Sequence, residues 1–331
     1  MIISRTPFRV SFFGGGTDYP DWYREQSGQV LSTTIDKYCY IACRPLPPFF
    51  DYRYRVVYSV IETVQTIDEI RHPAVKAILS HLDCQESLAI NYDGDLPARS
   101  GLGTSSSFTV GLLNALHALR GHYIDADRLA REALHIEQVL MGESVGSQDQ
   151  IAAAYGGFNR IRFYPNSAFQ VEPVVISTTK REALNEHLML FFTGVSRYSA
   201  HVARDKIANL HQHVTQLQRI GAAVEEALRL LSSEDSILPF GELLDEVWRH
   251  KRALSDQVTN PAIDDLYCEA RSAGAIGGKL LGAGGGGFFL LFVPPDRQAA
   301  VRQRLGRLIH VPLRFDDSGS KIVLYQPNGL G

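Results

Sequence analysis

The N-terminal part of the chain alternates hydrophobic and polar residues in the way that is typical of β-strands. Three segments, IISRTPFRVSFF, QVLSTTIDKYCYIACRPL and YRVVYSV, are rich in β-branched and aromatic residues. The segment PAVKAILSHL then has helical spacing, and LAINYDGDL returns to the strand pattern. We therefore expect several strands and one helix before residue 95.

Two segments with apolar residues at helical spacing come next. SSSFTVGLLNALHAL predicts a helix from near Thr104 to about Leu119. DADRLAREALHIEQVLMG predicts a second helix, capped by Asp125. Its apolar face contains Leu129, Ala133, Ile136 and Leu140. YGGFNRIRFY and FQVEPVVI are then predicted to be strands.

The C-terminal half contains both segments with the strand pattern and segments with helical spacing. LMLFFTG predicts a short buried strand from Leu188, and helices are expected over about 198–231 and 241–258, with a third ending at Gly274. An all-apolar strand, the helix AAVRQRLGRLI and the strand KIVLYQP follow. Interleaved helices and strands in both halves indicate an α+β protein of two domains, which we expect to span residues 1–168 and 169–331.

Composition excludes several classes of protein. Hydrophobic residues make up 45% of the 331 and charged residues 21%, as in a soluble globular protein. The net charge is -3 with scattered Lys and Arg, so a nucleic-acid partner is not expected. Four widely spaced cysteines favour reduced thiols, and without an apolar run long enough to span a bilayer we expect a cytoplasmic protein with no membrane partner.

The first candidate for chemistry is DLPARSGLGTSSSF, from Asp95 to Phe108. Its glycines allow close approach to a ligand, and the unpaired N–H groups of a helix that begins near Thr104 favour phosphate. The hydroxyls after Gly103 suit phosphate oxygens or a phosphate-bound magnesium ion. An ordinary loop with a serine-rich cap is an equally open interpretation. The segment lacks the lysine of a Walker A loop and the third glycine of a dinucleotide fingerprint.

Two other segments have more glycines than a turn requires. GKLLGAGGGGFFLLF has Gly282 and four consecutive glycines from Gly284 before a buried strand, which favours a ligand-contacting loop over a plain turn. RTPFRVSFFGGGTDYPDWY ends a strand with three glycines, followed by Asp18 in a turn. A turn Asp ordinarily binds its own backbone, but Arg9 on the preceding strand is able to reach the same cleft.

Together these segments resemble one family. TPFRVSFFGGGTD, LPARSGLGTSSSF and KLLGAGGGGF are similar, in order, to the three motifs of the GHMP kinases, the superfamily of galactokinase, homoserine kinase, mevalonate kinase and phosphomevalonate kinase. The resemblance covers the whole chain. It implies an N-terminal domain of the ribosomal protein S5 domain 2 type, a C-terminal ferredoxin-like domain, and a cleft between them that binds ATP and Mg2+.

Within the superfamily, galactokinase-type enzymes have Glu and His where this chain has Gly15 and Gly16. GGGTDYPDWY, EHLMLFFTGVSR and SVGSQDQIAAAYGGFNRIRF resemble instead the D-glycero-D-manno-heptose 7-phosphate kinases, with fucokinase-type enzymes close behind. This implies transfer of the ATP γ-phosphoryl group to the anomeric hydroxyl of the heptose phosphate, giving the 1,7-bisphosphate for nucleotide-activated heptose and surface polysaccharide synthesis. A kinase for L-fucose or unphosphorylated heptose, and a non-catalytic GHMP-fold binding protein, remain alternatives.

The resemblance also implies roles for individual residues. Asp149, in GSQDQ, would be the catalytic base, with Arg9 near the transferred phosphoryl group or orienting Asp149. Glu137 would bind magnesium together with Ser105. From the residues alone, capping of the helix QIAAAYG is the favoured interpretation of Asp149, and Glu137 is also suited to face solvent.

The remaining site residues follow from the same motifs. We expect ATP contacts from Pro97, Ser100, Gly101, Leu102, Gly103, Thr104, Ser105, Ser106, Gly284 and Gly285. We expect acceptor contacts from Gly15, Gly16, Thr17 and Asp18. An acceptor phosphate needs a cationic group, for which Arg197 is our prediction, with Arg160, Arg162 and Lys180 as further candidates.

Overall fold

The computed structural model describes residues 1–194 and 210–327, and two β-sheets organise them. The strands are β1 (Ile2–Phe13), β2 (Gly28–Pro45), β3 (Tyr54–Val57), β4 (Ile61–Val64), β5 (Leu88–Gly94), β6 (Phe158–Phe163), β7 (Phe169–Pro173), β8 (Leu188–Phe192), β9 (Gly277–Leu280), β10 (Phe288–Phe292), β11 (Ile309–Val311), β12 (Phe315–Asp316) and β13 (Lys321–Tyr325). Nine of them form one sheet, and β11-β8-β10-β9 form the second, in that order.

The helices of the described residues pack around these sheets. They are α1 (Pro20–Gln26), α2 (Pro73–His81), α3 (Thr104–Leu119), α4 (Ala126–Leu134), α5 (Gln148–Tyr155), α6 (Thr178–Glu186), α7 (Val214–Ser232), α8 (Leu238–Arg252), α9 (Pro261–Ser272) and α10 (Gln298–Arg304). Helix α3 has the predicted bounds. Asp125 caps α4 as predicted, because its Oδ1 accepts from the Arg128 N–H at 2.8 Å. Helix α8 ends earlier than predicted, at Arg252.

Strand β2 organises the larger sheet because its 18 residues serve several partners. One edge pairs antiparallel with β1, and this register sets Arg9 opposite Thr34. The other edge pairs in succession with β6, β12 and β5. Arg9 is therefore paired with β2 on one side of β1, because the pairing of β1 with β13 is confined to Ile2–Arg5.

Aromatic packing joins the two sheets. Phe240 of α8 makes edge-on contacts with Phe12 and Phe13 of β1, at ring-centroid distances of 5.5 and 5.0 Å, and also packs near Phe292 of β10. All four side chains are fully buried, and burying each contributes about 1.5–3 kcal/mol. The end of β1, where the first glycine segment begins, is thus held against the C-terminal half.

Two features of the fold differ from the sequence-based expectation. Leu140 is 47% exposed, whereas the predicted apolar face buried it. The reason is that α4 continues into a π-helical segment, His135–Leu140. A π-helix has more residues per turn than an α-helix, so the later side chains point in directions that the α-helical spacing does not predict.

The second difference concerns the last strands. β7 pairs with β6, β12 with β2, and β13 with β1, so residues on the C-terminal side of the expected 168/169 division belong to the larger sheet. The domain limits stay a prediction. All four cysteines are free thiols, and within the described part of the chain no helix is long and apolar enough to cross a membrane.

Candidate active site

The glycine loop before α3 presents the start of that helix to a cleft. Gly103 is the residue before the first turn, and its φ of 73° is a left-handed conformation that favours glycine. Among the residues that the structure describes, no side chain caps the first turn of α3, so its N–H groups remain available to an anion. The Leu102 carbonyl accepts from the Arg9 N–H at 3.1 Å, which anchors the loop on β1.

The third glycine segment packs on the backbone of this loop. A Cβ on Gly287 would lie 2.3 Å from the Ser100 carbonyl oxygen, and one on Gly282 would lie 2.5 Å from Gly101 Cα. The Ser100 carbonyl also accepts from the Phe288 N–H at 3.0 Å. The excess of glycines therefore serves, at least at these two positions, the contact between two loops of the protein.

Gly284 and Gly285 have a protein partner as well. Both are buried, and the Gly285 N–H donates to the Val258 carbonyl at 2.9 Å. A Cβ on Gly284 would lie 2.7 Å from Val258 Cα. Their contact with ATP stays a prediction.

Arg9 and Asp149 form a two-point ion pair at the mouth of the glycine loop. Arg9 donates from Nε to Asp149 Oδ1 and from Nη2 to Asp149 Oδ2, both at 2.8 Å, and from Nη1 to the Gly101 carbonyl at 2.7 Å. The Arg9 side chain is 4% exposed and that of Asp149 is 25% exposed. A Cβ on Gly103 would lie 3.4 Å from Asp149 Cγ. The carboxylate of Asp149 thus faces the loop rather than capping α5, whose preceding residue is Ser147.

The first glycine segment holds Asp18 next to this pair. Asp18 Oδ1 accepts from the Gly16 N–H and Oδ2 accepts from Gln148 Nε2, each at 2.8 Å. Asp18 is 2% exposed. Burial raises the pKa of Asp18, and the negative charge of Asp149 raises it further. The Thr17 hydroxyl donates within the same turn, to the Gly14 carbonyl at 2.8 Å, so its hydroxyl serves the turn itself.

Glu137 is buried rather than solvent-facing. It lies in the π-helical turn at 1% exposure, and its Oε2 accepts from Ser106 Oγ at 2.9 Å and from Gln150 Nε2 at 2.5 Å. Within the part of the chain that the structure describes, its Oε1 has no hydrogen-bond partner. Burial raises the pKa of Glu137 to about 7, against the opposing effect of its hydrogen bonds.

Two adjacent serines of α3 face in different directions at Glu137. Ser105 is exposed, whereas Ser106, one residue later on α3, is buried and donates to the carboxylate. The phase of α3 turns Ser105 outward, and the direct contact with Glu137 is made by Ser106. Ser105 as a metal or phosphate ligand stays a prediction.

The arrangement at Glu137 fits a magnesium ion. A buried carboxylate with one unpartnered oxygen, beside a serine hydroxyl and the first turn of α3, is a sparse set of oxygen ligands that phosphate and water are able to complete. Glu137 is the protein ligand that we would assign. Among residues 1–194 and 210–327, no group of three or more His, Cys, Asp or Glu is arranged to hold a metal by itself.

The other predicted residues are distributed around this centre. Pro97 is exposed, and Thr104 is buried with its Oγ1 accepting from the Arg99 N–H at 3.0 Å. The buried Ser100 Oγ has no partner among the described residues. Gly15 and Gly16 are half-buried. Arg197 lies outside the described residues.

The cationic candidates for an acceptor phosphate already have partners. Arg160 and Arg162 line a cavity of about 370 Å³, but Arg160 pairs with Glu172 and Glu225, and Arg162 Nε lies 3.4 Å from Glu172. Lys180 donates to the Asp235 carbonyl at 2.6 Å on the surface. These contacts give no support to a phosphate site at Arg160, Arg162 or Lys180.

Sequence reasoning missed two glutamines. Gln148 and Gln150 flank Asp149 and bind the two other carboxylates of the site, Asp18 and Glu137. The signal was present in GSQDQ, where alternate residues at a helix start were able to serve different neighbours. Together these contacts connect the three acidic residues of the site through one short helix.

Three features of this site are those that phosphoryl transfer requires. They are a helix N-terminus open to an anion, an arginine–carboxylate pair that faces it, and a carboxylate suited to magnesium. Two family models match the chain: the GHMP kinases N terminal domain over residues 68–157, and the GHMP kinases C terminal model over residues 206–310. They cover more than half of the 331 residues. The chain belongs to the GHMP kinases, which are ATP-dependent enzymes.

Individual relatives agree with this family. The chain is 29% identical over 310 residues to the D-glycero-alpha-D-manno-heptose 7-phosphate kinase of Campylobacter jejuni, covering 90% of this chain and 91% of that protein. It is also 29% identical to the bifunctional fucokinase/GDP-fucose pyrophosphorylase of Arabidopsis thaliana, covering 90% of this chain but 30% of that longer protein.

A solved structure extends the agreement to the fold. The D-glycero-D-manno-heptose 1-phosphate kinase from Bacteriodes thetaiotaomicron superposes with a TM-score of 0.79 at 25% identity. The match covers 97% of this chain and 98% of that chain. The GHMP kinase fold expected from the three glycine segments is thus confirmed.

Proposed function

We propose that this protein transfers the γ-phosphoryl group of ATP to the anomeric hydroxyl of D-glycero-D-manno-heptose 7-phosphate, giving the 1,7-bisphosphate for nucleotide-activated heptose and surface polysaccharide synthesis. The observation that carries the proposal is the Arg9–Asp149 pair at the open N-terminus of α3. Similarity to a heptose 7-phosphate kinase along nine-tenths of the chain supports the choice of acceptor.

In this mechanism Asp149 takes the proton of the acceptor hydroxyl. The acceptor oxygen forms a bond to the γ-phosphorus as the bond to the bridging oxygen breaks, and ADP leaves. Because an anomeric hydroxyl is more acidic than an ordinary one, a carboxylate is a sufficient base. Arg9 fixes both oxygens of Asp149, and its positive charge would stabilise the transferred group.

The phosphate end of the site is assigned to α3 and its loop. The N–H groups at the start of α3 would bind phosphate oxygens, assisted by the hydroxyls of Thr104 and Ser105. Glu137 would hold magnesium, with Ser106 and Gln150 fixing the carboxylate. The bound ion supplies charge neutralisation for the phosphates.

A kinase for an unphosphorylated sugar is the second candidate. The observation that favours it is the pairing of Arg160 and Arg162 with Glu172 and Glu225, which leaves these arginines neutralised. Under the heptose 7-phosphate proposal, Arg197 is the residue that we assign to the acceptor phosphate.

A panel of acceptors decides between these functions. ADP release is measured for the protein with Mg-ATP and heptose 7-phosphate, unphosphorylated heptose, L-fucose, galactose or mevalonate, and phosphorus NMR locates the new phosphate. We expect the heptose phosphate to be turned over far faster than the others. A rate at background with the heptose phosphate and a clear rate with one of the neutral sugars would overturn the first proposal in favour of the second.

A further inference from the structure

Two buried polar atoms next to the Arg9–Asp149 pair have no hydrogen-bond partner among residues 1–194 and 210–327. Ser11 is 6% exposed and Gln148 is 7% exposed, and the unpartnered atoms are Ser11 Oγ and Gln148 Oε1. Buried polar groups in folded proteins are nearly always paired, because leaving one unpaired costs free energy. Two such atoms on residues next to Gly15 therefore point to a ligand that pairs with them.

Gly15 lies next to Ser11 Oγ and to the side-chain amide of Gln148. A Cβ on Gly15 would lie 3.7 Å from Ser11 Oγ and 3.7 Å from Gln148 Nε2, with no nearer neighbour, and the residue is half-buried. Its φ is not in the left-handed region. The backbone at Gly15 therefore does not require glycine, and the missing side chain opens a polar recess.

Neighbouring residues determine the orientation of Gln148 and Ser11 at this recess. Gln148 Nε2 donates to Asp18 Oδ2 at 2.8 Å, so the other end of the amide, Oε1, points away from Asp18. Ser11 follows Arg9 by two residues on β1 and so faces the same side of the strand. Gln148 immediately precedes Asp149. Both orphan atoms thus belong to neighbours of the pair to which we assign the reaction.

We propose that Ser11 Oγ and Gln148 Oε1 bind hydroxyl groups of the acceptor sugar over Gly15. The amide oxygen accepts from one hydroxyl, while the serine is able to donate or accept. The proposal rests on the proposed function, since a sugar acceptor is what brings several hydroxyls next to Asp149. It also gives a use to Gly15, which stands where galactokinase-type enzymes have a glutamate: the acceptor occupies the space that a side chain would fill.

Ser11→Ala tests the hydroxyl contact, with Ser4→Ala as the matched control. Ser4 is on the same strand and fully buried, but its Oγ donates to the Gly111 carbonyl at 2.7 Å. We expect Ser11→Ala to raise the acceptor KM about tenfold, with an unchanged ATP KM and no loss of Tm, because no internal bond is removed. Ser4→Ala should do the reverse, lowering Tm and leaving both KM values in place.

Gly15→Ala tests the space itself. The added methyl group meets no protein atom closer than 3.7 Å, so the variant should fold, yet it occupies the recess. We expect the acceptor KM to rise more than about tenfold with the ATP KM unchanged. Gly306→Ala is the control, because its Cβ would lie among the described residues next to the Gln303 and Arg302 carbonyls, at 3.2 and 3.6 Å, and should leave the acceptor KM as it is.

The acceptor used in these measurements is whichever sugar the wild-type enzyme phosphorylates in the panel. If the wild type phosphorylates no sugar, the proposed function fails, and this inference fails with it. If the wild type is active and both Ser11→Ala and Gly15→Ala keep the acceptor KM within about twofold, the subsite alone is wrong.

Discussion

Asp149 and Glu137 are carboxylates of the same cleft in opposite electrostatic situations. Asp149 is partly exposed, and a guanidinium from Arg9 binds both of its oxygens. Glu137 is buried, with neutral donors on one oxygen, none on the other, and a raised pKa. The first is held as an oriented anion that a substrate hydroxyl is able to approach. Glu137 has no cationic side chain bound to it among the described residues. This is expected of a carboxylate that binds a metal ion, because the ion itself is the cationic partner.

The largest expected effect is at Asp149. Asp149→Asn retains one oxygen for Arg9 but removes the proton acceptor, so kcat should fall by about 10³-fold, within the range found for general bases. Calorimetry should show that Mg-ATP still binds. If more than about a tenth of kcat survived, the assignment of the base would be wrong.

Asp127→Asn is the matched control for that variant. Asp127 also takes two bonds from one arginine, Arg131, at 2.7 and 3.0 Å, but this pair lies about half-exposed on α4. Exposed pairs of this kind contribute about 0–1 kcal/mol to stability. Turnover should therefore stay at the wild-type level.

The next effect is a pH dependence of stability due to Glu137. Its pKa is about 7 in the folded protein against an ordinary 4.5, so the protonated form is the one that folding favours. The contribution is fully present below about pH 4.5 and is lost as the pH rises through about 7. By this linkage the folded state should lose about 3 kcal/mol over that window.

Glu137→Gln isolates this contribution. The free energy of unfolding of both proteins is measured in urea from pH 4.5 to 8, without magnesium or nucleotide. We expect the wild type to lose stability relative to Glu137→Gln as the pH rises. Parallel curves for the two proteins would contradict the raised pKa, and an unchanged magnesium requirement for turnover in Glu137→Gln would contradict the metal assignment.

Arg9→Lys should have a smaller effect on turnover than Asp149→Asn. Lysine keeps the charge but cannot reproduce the two parallel bonds to Asp149 together with the bond to the Gly101 carbonyl. We expect kcat to fall by about 10- to 100-fold, equivalent to one or two charge-assisted hydrogen bonds. A variant with wild-type kcat would show that charge alone, without orientation, is what Arg9 supplies.

The smallest effect distinguishes two adjacent serines. Ser106→Ala removes a donor to Glu137 and should raise the magnesium concentration for half-maximal rate about threefold to tenfold, since one hydrogen bond to a charged group is lost. Ser105→Ala leaves Glu137 untouched and should change the ATP KM instead if Ser105 binds phosphate. Equal effects of the two substitutions on the magnesium requirement would contradict the distinct roles.

Hydrophobic periodicity and helix-capping residues were sufficient to predict many of the helices and strands of this fold. The strand that contains Arg9, the bounds of α3 and the Asp125 cap all follow from local patterns, and the three glycine segments together indicate the family. Local patterns could not show the π-helical turn that buries Glu137. Nor could they show which hydroxyl of α3 turns inward, because that depends on the phase of the helix relative to a distant carboxylate.

The residues that the glycines contact could not be predicted from the sequence either. Gly282 and Gly287 pack on the backbone of Ser100 and Gly101, a contact between segments far apart along the chain. An excess of glycine indicates that something approaches the backbone, but it does not distinguish a ligand from another loop. The same ambiguity applied to Asp149, whose contact with Arg9 required the tertiary structure to bring β1 and α5 together.

The return of the last strands to the first sheet has a consequence for biosynthesis. β13 covers one edge of β1, and β12 pairs with β2 at Thr34, the residue opposite Arg9. The sheet that supports Arg9 is therefore incomplete until residues 315–325 have left the ribosome. We expect the nascent N-terminal region to expose unpaired strand edges during translation, so the final step of folding is a long-range strand insertion, and chaperones have an open edge to protect until then.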